Sequence, residues 1–204
     1  MKDLIAQGGI VMYPLLAISI IALAITMERF FYFSRISQDI PETIVQQIKE
    51  NLKQGEIEKV IRLLNKPHNP MYYILCNGIQ LYKEGHIETE RAMDELKMKF
   101  FPKMEKHVNM LQFIAKISPS LGLLGTITGM IKTFHFLSLN VESQQLAQGI
   151  SEALLTTALG LSISIPALAA YYYFTNKIEH IIKNTERVEL ILVNHIQKLG
   201  ENSA

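Results

Sequence analysis

The feature that most constrains this chain is a stretch of 22 residues, Ala153 to Phe174, that contains no charged side chain. A helix rises about 1.5 Å per residue, so this stretch can cross the roughly 30 Å hydrocarbon core of a bilayer. It is not uniformly apolar, because it carries hydroxyl side chains and Pro166, and Glu152 directly precedes it. The stretch predicts a membrane-spanning helix with polar groups that a simple anchor does not need.

Two further apolar blocks complete the pattern. The 24 residues between Asp3 and Glu28 are uncharged, and the run is too long for a signal peptide and lacks a small-residue cleavage site. The block 117–131 is also uncharged, although Lys116 and Lys132 flank it and make it marginal by hydropathy alone. With 49% hydrophobic residues and a net charge of +1, the chain is predicted to be an all-α, polytopic membrane protein with three transmembrane helices.

The positions of the basic residues predict the orientation of these spans. Thirteen Lys or Arg lie between Ser34 and Lys116, four lie in the tail, and none lies between Ser138 and Gly149. Because basic loops stay on the cytoplasmic side, we expect the N-terminus and the short connection outside and the rest in the cytoplasm. The predicted segments are 1–33 (periplasmic N-terminus and first span), 34–112 (cytoplasmic helical region), 113–139 (second span), 140–150 (periplasmic connection), 151–175 (third span) and 176–204 (cytoplasmic C-terminal helix).

The cytoplasmic region is predicted to be a set of helices. Pro41 begins a helix that ends at Gly55, since proline favours the first helical turn and glycine the position after the last. Further helices are predicted over 56–66 and 71–84, and a long one runs from Glu88 into the second span with a bend at Pro102. After the third span, apolar residues at heptad spacing from Ile178 onward predict a helix that packs in a bundle.

Small residues follow one face of the second span. They are Gly122, Gly125, Thr126, Gly129 and Thr133, and Gly160 lies in the third span. Small faces let helices approach closely in lipid, so Gly122, Gly125, Gly129 and Gly160 are predicted helix-packing residues. Pro119 and Pro166 are the predicted kink positions within the spans.

The sequence permits two interpretations of Glu152. Ionisable groups within a membrane are costly and tend to mark ion pathways. Alternatively, Glu152 is a wetted residue at the start of the helix, where the macrodipole favours an acid. Thr156 and Thr157 permit the same two readings, because hydroxyls in spans often bond only to the preceding turn. Lys132 is expected to extend to the lipid headgroups.

Other classes of function have little support in the sequence. The six histidines show no metal-ligand spacing, and no phosphate-binding loop or nucleophile motif occurs. The near-zero net charge gives no reason to expect nucleic acid. We therefore predict no enzyme activity, no cofactor and no metal site.

The residues 117–130, ISPSLGLLGTITGM, followed by 149–161, GISEALLTTALGL, and by Ile165-Pro166-Ala167, resemble the ExbB/TolQ/MotA proton-channel family. The resemblance extends to Glu28-Arg29 and to the segment 55–58, and the three-span count favours the ExbB or TolQ branch, with ExbB as the preferred match. It implies a homopentamer around a dimer of a single-span ExbD/TolR-like partner in the bacterial inner membrane. That assembly would use the proton motive force to act on a TonB- or TolA-like transducer.

The resemblance also implies site residues. Glu152, Thr126 and Thr157 match the family's pathway positions. Because Glu152 and Thr157 do not point the same way on a straight helix, either the helix is rotated so that both border the pore or Thr156 takes part. The expected function is ExbB-like energisation of outer-membrane import, such as siderophore uptake. The alternatives are a TolQ-like role in envelope maintenance and a membrane scaffold that conducts no ions. Lys132 departs from the family pattern.

Overall fold

The computed structural model describes residues 9–36, 40–66, 69–83, 89–139 and 143–201. Six helices account for most of them, and no strand occurs within these ranges. The helices are α1 (Met12–Arg35), α2 (Glu42–Lys53), α3 (Ile57–Leu64), α4 (Pro70–Lys83), α5 (Thr89–Ser138) and α6 (Ser143–Glu201). The all-α prediction is confirmed.

Three of these helices are long and apolar enough to cross a membrane, as the sequence predicted. They are α1 and the apolar parts of α5 and α6. The helix α5 runs through Pro102 and Pro119 without interruption, and α6 runs through Pro166 in the same way. The bends proposed at these prolines therefore do not break either helix, and they stay predictions.

The helix α6 begins inside the segment that is expected to connect the second and third spans. The expected connection covered 140–150, but α6 already begins at Ser143. Glutamine is a good helix former, and the side chains of Gln144 and Gln145 in the first turn of α6 are exposed. Residues 140–142 lie outside the described part of the chain.

The short helices α2 and α3 are separated at the glycine that the sequence predicted as a helix end. After α2 the chain turns at Gly55, which has a φ of +73° that a residue with a Cβ rarely adopts. The amide of Glu56 donates to the carbonyl of Asn51 at 2.8 Å and so closes the end of the helix. The predicted end of this helix at Gly55 is confirmed, whereas position 84, the predicted end of the helix over 71–84, lies outside the described residues.

The chain divides into two compact units, and the first contains the apolar helices. It comprises the described residues 9–30 together with 107–174. Its core is formed by side chains from α1, the turn before it, α5 and α6, namely Val11, Leu15, Ala22, Ile114, Ala115, Ile163 and Ala167. Leu159 packs against the same cluster. This core fixes which face of α6 is turned towards α1.

The second unit comprises residues 31–106 and 175–201 among those described. The heptad stripe of α6 is buried there, with Ile181 and Leu192 fully covered. Lys97 Nζ on α5 lies 2.8 Å from a carboxylate oxygen of Glu189 on α6, and both side chains are largely buried. Burial raises the pKa of Glu189 above its usual range, and the nearby Lys97 only partly offsets this effect.

Candidate functional site

Helices α5 and α6 pack closely along the small residues that the sequence singled out. A Cβ on Gly160 would lie 2.6 Å from the carbonyl oxygen of Ser118, and one on Gly122 would lie 3.1 Å from Thr157 Cα. Closer to the connection between the two helices, a Cβ on Gly129 would lie 2.9 Å from the Cβ of Ala153. These glycines form an α5–α6 seam within a single chain, so larger side chains cannot replace them without separating the helices.

Thr156 lies inside this seam. Its side chain is fully buried and fills the space next to Gly125, where a Cβ would overlap it. The hydroxyl donates within α6 towards the carbonyls of Ala153 and Glu152, with distances of 2.9 and 3.1 Å. In this subunit Thr156 packs two helices together, and its predicted place in an ion pathway is not tested by this contact.

Thr126 and Thr157 form a hydroxyl pair across the seam. Their two Oγ1 atoms share a hydrogen bond. Thr157 Oγ1 lies 3.1 Å from the carbonyl oxygen of Gly122, and Thr126 Oγ1 lies 3.3 Å from the same oxygen. Both side chains are half-buried, unlike the fully covered Thr156. The two threonines that the family resemblance selects are therefore brought together by the fold.

Other hydroxyls in the spans are satisfied by backbone carbonyls. Ser118 donates to Ile114 O at 2.7 Å and Ser162 donates to Ala158 O at 2.8 Å, each within its own helix. Ser164 instead donates across to Ala115 O at 2.6 Å and ties α6 to α5. These three serines thus take part in helix packing and back-bonding, which is the commoner role of a hydroxyl in a span.

Glu152 is paired with a lysine that the sequence had assigned to the lipid headgroups. Lys132 Nζ on α5 lies 2.6 Å from Glu152 Oε1 on α6. The Glu152 side chain retains 13% of its surface exposed, whereas Lys132 retains 48%. The pairing follows from the antiparallel register of the seam: Gly129 contacts Ala153, so Lys132, one turn after Gly129, comes beside Glu152, the residue before Ala153. That helix register was the signal that sequence reasoning missed.

The turn before α1 lies against the Glu152 carboxylate, next to Oε1, the same oxygen that Lys132 contacts. Gly9 has a φ of +65°, and a Cβ on it would lie 2.6 Å from Glu152 Cδ. The carbonyl of Gly9 accepts a hydrogen bond of 3.2 Å from the amide of Met12, which fixes the turn at the start of α1. Three parts of the chain therefore meet at one carboxylate: this turn, α5 and α6. We call Glu152, Lys132 and Gly9 the carboxylate site.

The carboxylate site and the hydroxyl pair lie on different sides of α6. Successive residues of a helix are rotated by about 100°, so Glu152 and Thr157 are about 140° apart. Glu152 shares its side with Leu159 and Ile163, which pack on the core cluster that includes α1 residues. Thr157 instead contacts Thr126 and Gly122. Glu152 and Thr157, which the family resemblance selects, therefore do not form one continuous stripe on α6.

A second cluster of charged groups lies at the other end of α1. Arg29 is 5% exposed and donates from Nε to Glu28 Oε2 at 2.8 Å. Its Nη2 lies 2.7 Å from His107 Nδ1 on α5, and that nitrogen lies 3.0 Å from Glu28 Oε2. In the sequence, Glu28-Arg29 belongs to the family resemblance and His107 has no metal-ligand spacing. Their contact ties α1 to α5.

Comparison with known proteins connects this geometry to a family. The model of the MotA/TolQ/ExbB proton channel family matches residues 66–187, which include both faces of the seam and the whole hydroxyl pair. The chain belongs to this family. The suspected family resemblance is therefore confirmed, and the family accounts for the three apolar helices as those of a multi-pass membrane protein.

Curated relatives carry names from the same group. The chain is 29% identical over 189 residues to a putative biopolymer transport protein ExbB homolog of Methanothermobacter thermautotrophicus, covering 93% of this chain and 67% of the relative. It is 33% identical over 178 residues to the putative biopolymer transport protein ExbB-like 1 of Synechocystis, which covers 83% of this chain and 68% of the relative. A Tol-Pal system protein TolQ of Haemophilus influenzae is 37% identical over 117 residues, which cover 55% of this chain and 51% of the relative.

Family membership makes this chain a membrane proton-channel subunit and places it among transport proteins rather than enzymes. Within the residues that the structure describes, no group of three His, Cys, Asp or Glu side chains is arranged to hold a metal ion. The chemistry available at the site is proton exchange at a carboxylate and hydrogen bonding by hydroxyls.

Proposed function

We propose that the chain is an ExbB-like subunit that uses the proton motive force, together with an ExbD-like partner, to energise TonB-dependent import across an outer membrane. The observation that carries the proposal is Glu152, an enclosed carboxylate at the start of the third span in a chain of a proton-channel family. Intramembrane acids are costly and are retained where ions pass. The relatives named for biopolymer transport favour the ExbB-like task.

In this proposal Glu152 takes up and releases the proton. Its carboxylate is the titratable group, and Thr126 and Thr157 supply hydroxyls that order water without adding charge. Thr156 is assigned to the seam, where its burial next to Gly125 keeps α5 and α6 at the distance that the pathway needs. The role of Thr156 in the pathway itself stays a prediction.

Assembly into a ring is part of the proposal. The chain would form a homopentamer around a dimer of a single-span ExbD/TolR-like protein, and the ring would act on a TonB/TolA-like transducer. Apolar side chains on the outer faces of α5 and α6 support this, since they are available for lipid or for other chains. Examples are Leu123, Ile127, Leu154 and Ile165, which are between 51% and 66% exposed.

Location follows from the same reasoning. We place the protein in the bacterial inner membrane, with the N-terminus and the connection near 140–150 in the periplasm and with 34–112 and 176–204 in the cytoplasm. The supporting observation is the concentration of basic residues in 34–116.

The deciding variant is Glu152→Gln, which keeps the size and much of the hydrogen bonding but removes the ionisable group. We expect it to insert and assemble with its partner, yet to lose energy-dependent siderophore uptake in a strain that lacks the native subunit. Lys132 then loses its partner, but its exposed side chain can turn to the headgroups. Protein level is checked by blot, and Ser162→Ala, which alters only a back-bonded hydroxyl, serves as control.

Uptake at the wild-type rate in Glu152→Gln would contradict the proton-pathway assignment and would favour the scaffold. A second candidate function is a TolQ-like role in envelope maintenance, favoured by the 37% identity to the Haemophilus protein. The two are separated in the same deletion strain. Loss of uptake with an intact envelope supports the ExbB-like role, whereas leakage of periplasmic proteins with normal uptake supports the TolQ-like role.

A further inference from the structure

The ammonium group of Lys132 occupies the position at Glu152 that a bound metal cation would need. Its Nζ lies 2.6 Å from Oε1, which is about the distance at which hard cations such as Ca²⁺ contact carboxylate oxygens. A hydrated Na⁺ arriving at this carboxylate would have to displace the ammonium or share the oxygen with it. Sharing is opposed by the repulsion between two positive charges at close range.

The remaining surroundings of the carboxylate give little room for a second cation. The turn at Gly9 lies against the Glu152 carboxylate, so that even one added methyl group would overlap it. The Glu152 side chain retains only 13% of its surface exposed. A metal ion needs several oxygen ligands in place of its hydration shell, and while Lys132 contacts Oε1 the open part of this side chain is too small to supply one.

We propose that Lys132 is the tethered counter-cation of Glu152 and that it makes the carboxylate site selective for protons by excluding Na⁺. This inference rests on the proposed function and assigns a specificity-determining role to a residue outside the pathway positions. A proton forms a covalent bond with one carboxylate oxygen and needs no coordination shell. A proton can therefore bind the Glu152 carboxylate while the ammonium group of Lys132 stays beside it.

The proposal predicts what happens when the lysine is removed. In Lys132→Gln the carboxylate keeps its place on α6, but the contact at Oε1 is open to a free cation. Na⁺ should then bind, whereas choline, which is too large to enter beside Gly9, should not. Lys132→Arg keeps a cation on the same position and should behave as the wild type.

Sodium binding can be measured on the purified full chain without any partner. The thermal unfolding midpoint is recorded in increasing NaCl and in choline chloride of equal ionic strength, since a ligand that binds only the folded state raises the midpoint. We expect equal curves in both salts for the wild type, Lys132→Arg and the control Lys116→Gln. For Lys132→Gln we expect a rise of a few degrees that occurs only in NaCl and saturates. The double variant Lys132→Gln/Glu152→Gln should lose it.

Two results would overturn the inference. One is a sodium-specific rise in the wild type that disappears in Glu152→Gln, because the site would then bind Na⁺ with the lysine present. The other is an absent rise in Lys132→Gln and likewise in Lys132→Met, which guards against a folding defect of one variant. Neither result depends on transport. The sodium measurement can therefore contradict the role of Lys132 while the uptake experiment on Glu152→Gln supports the proposed function, or the other way round.

Discussion

At the residue scale, the hydroxyl pair shows how the fold gives polar groups in a span a defined partner. Thr126 and Thr157 bond to one another, and both reach the carbonyl of Gly122. A hydroxyl satisfied in this way remains half-buried and can exchange its partner for water. Glu152, by contrast, is held by a charge and by the turn at Gly9.

Replacing Thr157 by Val tests the hydroxyl pair with almost no change of shape. The Oγ1 contacts of Thr157 with Thr126 and Gly122 are lost, and Gly122 O keeps Thr126 as a donor. We expect a stability loss of about 0.5–1.5 kcal/mol, the net contribution of one hydrogen bond, together with weakened uptake. The measurements are siderophore uptake and the unfolding midpoint. Full uptake in Thr157→Val would remove this hydroxyl from the pathway.

At the scale of elements, the α5–α6 seam is the contact that positions the site. The face of small residues is predicted to hold helices together. In the structure these residues join two helices of one subunit, with Gly125 against Thr156 and Gly129 against Ala153. The seam sets the helix register, and this register brings Lys132 to Glu152 and Thr126 to Thr157.

Gly125→Leu should therefore destabilise the fold of the single subunit, and loss of the oligomer should follow from that. Its side chain would overlap Thr156, and overpacking a tight contact costs typically about 1–3 kcal/mol. We expect a lower unfolding midpoint and a loss of the oligomer in native mass spectrometry. Ala158→Leu adds the same kind of bulk on the exposed side of α6 and should keep the midpoint near the wild-type value. Equal stability of the two variants would argue against the seam as the limiting contact.

At the scale of the whole molecule, the chain combines apolar helices with a charged helical unit in one sequence. The first unit contains the three apolar segments and the carboxylate site. The second contains α2, α3 and α4 with the buried Lys97–Glu189 pair. Each unit has its own core, and the family assignment rests on segments of both, since the match covers residues 66–187.

The proposed orientation is tested with single cysteines in a Cys76→Ser background. Gln145 near the start of α6 and Lys59 on α3 are both exposed, so Gln145→Cys and Lys59→Cys can each react. In intact spheroplasts, an impermeant thiol reagent should label the first variant and leave the second unlabelled. After lysis both should react, which controls for reactivity. Labelling of Lys59→Cys with protection of Gln145→Cys would reverse the orientation.

Much of the architecture could be read from the sequence because its signals are local. The uncharged stretch from Ala153 to Phe174 has the length of a span whatever it packs against, and Gly55 ends α2 because few other residues adopt a φ of +73°. The small residues at Gly122 and Gly125 likewise indicated a close helix contact. Backbone geometry and hydropathy decide such features within a few turns of chain, so no tertiary information was needed.

Only the tertiary structure decided which polar groups meet. Lys132 and Glu152 are 20 residues apart, and their pairing depends on the register of α5 against α6. That register is set by the glycine contacts between the two helices. The same packing buries Thr156 and leaves Thr157 beside Thr126. Sequence establishes which side chains a span carries, whereas the rotation and register of neighbouring helices determine the partners of each.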